Sequence, residues 1–303
     1  MHWQSIRATE PVRLLLPGPA SMNQIRVTIL FLRKLSMMRE RGVKSMKIRK
    51  YITSDLYRLW VSKKWITGIL ITYVALMLNS FLWGKSLDVL LIFWGIRTFS
   101  TIVLSYIGPS YCFSISLAED FEHGFHYAII GRGDVYSYSL SKVIVCFLSA
   151  VLSCSLGYLL FVFTYSFRYP LCDLSSPITE NYVMTDLFGI CIERGHAVLF
   201  FFLSATLTGM LAGILSMLAM LFSLYVKSKI MVLCMPMMMH YFVQNYLGNW
   251  LNLPGFLCPV YIYASEVGAF DSNLLSLLYA IGIALLSIGA FSILIMKSVV
   301  RRL

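Results

Sequence analysis

A chain of 303 residues that is 58% hydrophobic and only 13% charged, with a mean hydropathy of +0.75, carries more apolar surface than a soluble fold of this size can bury. Its net charge of +11 does not mark a nucleic-acid binder, because the basic residues sit at the ends of hydrophobic runs instead of interleaving with aromatic side chains. Composition therefore points to an all-α, polytopic integral membrane protein.

The first 45 residues hold Pro11, Pro17, Pro19 and a scatter of Arg around the short apolar run Val27–Leu32, which cannot span a bilayer. They have no small-residue cleavage site of a secretory signal. The expectation is a basic extension, either disordered or an over-extended reading frame, because Glu40-Arg41-Gly42 can be encoded by a purine run resembling a ribosome-binding site before Met46. From Met46 the pattern becomes coherent. Ile48, Ile52, Leu56, Leu59 and Trp60 recur at helical spacing opposite Lys50, Ser54 and Arg58. Such a basic amphipathic helix would lie along the inner leaflet, the alternative being a solvated helix with one core stripe.

Six runs follow that approach the roughly 20 apolar residues needed to cross a hydrocarbon core: Trp65–Trp83, Val89–Phe113, Val143–Ser166, Val198–Val226, Ile230–Leu247 and Leu274–Met296. The fourth is over-long and is expected to tilt, to kink near Gly209 and Gly213, or to extend out of the bilayer. With a cytoplasmic N-terminus, the inner segments hold 21 Lys/Arg and the outer segments three, Lys85, Arg168 and Arg194. Positive charge is retained inside during insertion, so both termini are expected in the cytoplasm. Trp65, Trp83 and Trp250 fit the aromatic belts of the two interfaces.

Between spans two and three, Ser116 and Glu119 have the spacing of a capping box, and Gly131 supplies a C-terminal stop. Ala118, Phe121, Phe125, Ala128 and Ile129 share one helical face, and Glu119, Glu122, His123 and His126 the other. A short helix there either docks another protein or rests on lipid as a connector.

Chemistry within the membrane is sparse. Gly84-Lys85-Ser86 ends like a Walker A loop, but Asn79 stands where its first glycine belongs, so ATP is not hydrolysed by that route. No G-x-S-x-G, H-E-x-x-H or intramembrane carboxylate pair occurs, and all fourteen Asp and Glu lie outside the expected spans. Arg97 is the intramembrane exception. It is a functional candidate by default, equally open to snorkelling or to satisfaction by carbonyls and Asn79. Met231, Cys234, Met235, Met237, Met238, Met239 and His240 in span five could pass Cu(I), although methionine is more often adaptable packing. Gly209 and Gly213 form G-x-x-x-G, and Ala280, Gly282, Ala284 and Gly289 give span six small surfaces, both suited to helix packing. Cys172 and Cys191 share an outer loop, where they either bridge or remain free thiols. Seven acids in the outer segments, among them Asp88, Asp173 and Asp186, hint at tolerance of cationic compounds, and topology bias explains the same count.

Six spans, an amphipathic N-terminal helix and a cytoplasmic helix before a Lys at the foot of span three resemble the ABC-2 type permeases of bacterial exporters. The matching residues are Glu119, Asp120 and Glu122, then Gly124, Ile129-Ile130, Gly131-Arg132-Gly133 and Ser141-Lys142, within residues 46–303. Where that family has a Pro-x-Ser-Arg turn, this chain has Arg132-Gly133-Asp134-Val135. The resemblance implies a coupling helix over Glu119–Ile130 that contacts an ATPase, with Gly124 and Phe125 within it and Arg132 and Lys142 flanking. It also implies a cell-membrane transport subunit with no cofactor of its own, since ATP is bound by a separate ATPase subunit. The partners implied are that ATPase, a second permease copy or a related permease, and lipid. The cargo would be a drug, peptide or lipid-like compound. The rival reading is a non-transporting scaffold or immunity protein.

Overall fold

The computed structural model describes residues 48–81, 88–98, 104–125, 127, 134–226, 228–250, 254, 256–265, 270 and 272–302. Among these residues every regular element is helical: α1 Ile48–Ser62, α2 Lys64–Phe81, α3 Val89–Thr98, α4 Ile107–Phe113, α5 Ser116–Glu122, α6 Val135–Ser166, α7 Pro177–Thr185 and α8 Gly189–Glu193. There follow α9 Ala197–Phe222, α10 Lys229–Phe242, a π-helical continuation Val243–Trp250, α11 Pro259–Ile262 and α12 Asn273–Val300. Four helices, α2, α6, α9 and α12, are long and apolar enough to cross a membrane. The expected N-terminal extension, with its Met46 start, and Trp83 lie outside the described residues.

Two of the six expected runs do not form one long α-helix. Run 89–113 contains α3, of 10 residues, and α4, of 7, with residues 99–103 between them outside the described set. Run 230–247 holds the 14-residue α10, with Pro236 inside it, and then turns π-helical at Val243. Proline removes a donor from the helical ladder, and a π segment widens it further. The over-long fourth run, by contrast, is one unbroken α-helix of 26 residues.

Helix α6 is the hub: α9, α2, α12, α4 and α1 all pack on it. Its 32 residues begin two turns before the apolar run, because Asp134 caps it by accepting from the Ser137 amide at 3.2 Å. The α9–α6 seam is close because Gly209 and Gly213 face it. A Cβ at Gly209 would lie 3.0 Å from the Val151 carbonyl oxygen, and one at Gly213 would lie 2.6 Å from the Phe147 ring. A tighter crossing joins α2, α4 and α6. There a Cβ on Gly68 would meet the Gly108 carbonyl oxygen at 2.7 Å, and one on Gly157 would meet Thr72 at 2.8 Å. Small residues of this kind let helix backbones approach where lipid supplies no hydrophobic drive.

On α12, Ala280 and Ala284 are buried, whereas a Cβ on Gly282 or Gly289 would meet nothing within 4 Å. Leu278, Leu285, Leu286 and Ile293 are exposed on the same helix, leaving an uncovered apolar face.

The core divides along the bundle. One cluster gathers Leu76, Phe93, Tyr158, Phe161, Phe200 and Phe201 toward the end where α7 and α8 sit. The other gathers Tyr51, Phe113, Leu117, Tyr138, Met220 and Val299 toward the start of α6 and the ends of α9 and α12. This second cluster encloses charge.

Candidate functional site

The site is built on α5, a helix of only seven residues. The expected capping box does not form. α4 runs into α5 through a helical turn at Ser114 and Ile115, so the Glu119 amide already donates to the Ile115 carbonyl at 3.0 Å. Ser116 Oγ is buried with no partner among the described residues, and Glu119 turns to Lys64 at the start of α2, at 2.7 Å. Helix α5 also ends earlier than its pattern suggests. Gly124 takes φ +69°, and its amide donates to the Phe121 carbonyl at 3.3 Å, the geometry of a glycine just past a helix end. The stop expected at Gly131, together with Arg132, lies outside the described residues.

At the centre lies Asp120, fully buried. It accepts from Arg58 of α1 at 2.8 Å and from the Tyr138 hydroxyl at 2.9 Å, and it pairs with Lys142 at 2.8 Å. Lys142, also fully buried, reaches Asp55 of α1 at 2.8 Å on its other side, and Ser141 Oγ donates to the same carboxylate at 2.7 Å. Two acids and two bases thus close on one another, and the Lys142 ammonium rests over the Phe113 and Tyr138 rings at 5.2 and 5.6 Å. Burial pushes the Asp120 carboxyl upward, but Lys142 and Arg58 more than offset it and hold it below the ordinary carboxylate range.

The rest of α5 reaches other helices. Glu122 faces Lys229 of α10 at 3.5 Å, a half-exposed and weak pair. Phe121 lies 5.9 Å below the Arg302 guanidinium, which also covers Tyr225 and donates to the Leu224 carbonyl. Seven residues therefore touch α1, α2, α6, α10 and the end of α12.

The expected site residues separate into two groups. Asp120 and Lys142 are internal and present nothing to a partner. Glu122, 49% exposed, and Phe125, 54% exposed, form an outer rim with His123 and Tyr127. Phe125 therefore does not belong to a buried apolar face. Sequence reasoning missed Asp55 and Tyr138, took Ser141 only as the residue leading into Lys142, and placed Arg58 on the polar side of α1. On α1 the buried positions are Tyr51 and Asp55, whereas Leu56 and Trp60 of the apolar set are exposed. The available signal was a lone acid placed one turn after Tyr51 and one turn before Leu59.

At the opposite end, Arg97 donates to Ser265 Oγ at 2.8 Å, and Ser265 passes the contact to Asp186 at 2.7 Å. Asp186 is buried, and so is Asp88, which caps α3 and accepts from Thr179 and the Asp173 amide. Both carboxylates are engaged in hydrogen bonds within the fold. Cys172 and Cys191 are free thiols, and burial followed by Asp88 and Asp173 pushes Cys172 up to about 11. No group of three His, Cys, Asp or Glu side chains placed to hold a metal ion occurs among the described residues. Compared with protein-family models, with curated proteins and with solved structures, the chain matches none.

Proposed function

We propose that this chain is the membrane-spanning permease subunit of an ABC exporter, crossing the membrane six times with both termini in the cytoplasm. The supporting observation is the ion-locked α5. Its outer rim of Glu122, His123, Phe125 and Tyr127 faces outward, while Asp120 ties it to α1 and α6 through buried charge. Load applied to the rim by an ATPase passes directly to Lys142 near the foot of the central helix. A transporter without its own nucleotide site needs such a partner, one that binds the two states of the bundle with different affinity. Asp120 and Lys142 are positioning residues in this scheme, and the rim makes the contact.

The test separates these roles. Glu122→Lys with Phe125→Ala is expected to lower ATPase co-purification at least tenfold while leaving membrane insertion and thermal melting unchanged, since both residues are about half exposed. Undiminished co-purification and transport in that variant would remove the assigned role. Capture of a membrane partner with no ATPase would favour the scaffold reading.

A further inference from the structure

Between α3, α9, α10 and α11 lies a cavity of about 50 Å³, far from the α5 cluster. Its wall includes Arg97, Tyr106, Leu211, His240, Gln244 and Val260. Two polar atoms in that wall, His240 Nδ1 and Gln244 Oε1, are buried with no hydrogen-bond partner among the described residues. His240 is only 3% exposed, its ring held against that of Tyr106 with centroids 4.7 Å apart. Gln244 is delivered by the π-helical segment that follows α10, a distortion recurrent at functional sites. Burying such groups unpaired forfeits the hydrogen bonds they make to water, so they call for a ligand that supplies both a donor and an acceptor.

We infer that this cavity binds the carboxylate end of an amide-containing ligand, as found at the C-terminus of an apolar peptide. The Arg97 guanidinium supplies the single positive charge among the described residues of the wall and suits the planar carboxylate. His240 Nδ1, carrying the proton, donates to the same group. The adjacent ligand amide N–H donates to Gln244 Oε1. Leu211 and Val260 meet the apolar side chain. A phosphate fits less well, because its dianion sets two negative charges against one guanidinium and it has no apolar side chain for Leu211 and Val260 to meet. Arg97, Gln244, Val260 and Ala264 are only half-buried, so the cavity opens outward and the rest of a longer ligand can leave it.

As a substrate site this rests on the exporter reading, whereas the binding itself needs no ATPase. The experiment uses the full chain in phosphatidylcholine nanodiscs and labelled N-acetyl-trileucine, as the free acid and as the C-terminal amide. The acid is expected to bind at least tenfold more tightly than the amide. Gln244→Glu, nearly isosteric, is expected to weaken the acid at least tenfold with thermal melting unchanged. If that variant does not fold, His240→Phe takes its place with the same expectation. Equal binding of acid and amide, no binding of either, indifference to the substitution, or stronger displacement by inorganic phosphate would each overturn the assignment. Loss of binding with ATPase co-purification intact rejects this site alone, and binding with no ATPase partner rejects the exporter alone.

Discussion

Lys142 carries its charge in a place with no exposed surface because Asp55 and Asp120 approach its ammonium from two sides. Removing one partner of a buried pair leaves the other uncompensated, at a cost of about 3–5 kcal/mol. Lys142→Met is therefore expected to destabilise the solubilised chain by about that amount in thermal unfolding, since it strands two acids against Arg58 alone. Lys142→Met combined with Asp55→Leu restores the charge balance, and its loss is expected to be smaller than the sum of the two single losses. Additive losses would show that the charges are not coupled. Acid supplies an independent reading. The folded Asp120 carboxyl lies below its unfolded value of about 3.9, so its stabilisation is complete above that pH and disappears as pH falls through the folded value. Melting temperature followed from pH 7 to pH 3 is expected to fall below about pH 4, and Asp120→Asn is expected to start lower and show a flatter acid limb. Little of this was legible in the sequence. Asp55 and Lys142 stand 87 residues apart, and nothing local marks the two as partners. An acid in a basic helix reads as solvated until the fold places a cation beside it.

At the level of the helices, hydropathy and glycine spacing carried most of the information. Runs three, four and six emerged as α6, α9 and α12, because long apolar stretches without proline have one stable form in lipid. Gly209 and Gly213 were legible as packing residues. The Gly68, Gly108 and Gly157 crossing was not, because it joins three helices and has no spacing within any one of them. Gly68→Ala is expected to destabilise by about 1–3 kcal/mol, since its new methyl must displace the Gly108 backbone. Gly282→Ala on α12, with open space around it, is expected to be neutral or stabilising by up to about 1 kcal/mol. Matching melting temperatures for the two variants would contradict the crossing. The ends of α5 were misread for a related reason. Ser116 and Glu119 have capping spacing, but α4 already supplies the backbone acceptors, and that continuity is a tertiary fact.

For the whole molecule, the uneven placement of Lys and Arg carries the proposed orientation, and the residue order alone makes it readable. Single cysteines introduced at Arg168 and Lys229, both exposed, put it to a direct test in a background whose native thiols are replaced. The first is expected to react with a membrane-impermeant maleimide on intact cells, and the second only after permeabilisation. The reverse pattern would invert the chain and place the α5 rim outside, where no ATPase reaches it.

The α5 cluster also orders events during synthesis. Asp55 and Asp120 emerge from the ribosome before Lys142, so the nascent chain holds two acids and only Arg58 to answer them until its third long hydrophobic stretch arrives. A chain truncated before residue 142 lacks the one ammonium that reaches both Asp55 and Asp120, so among these groups only Arg58 answers the two negative charges.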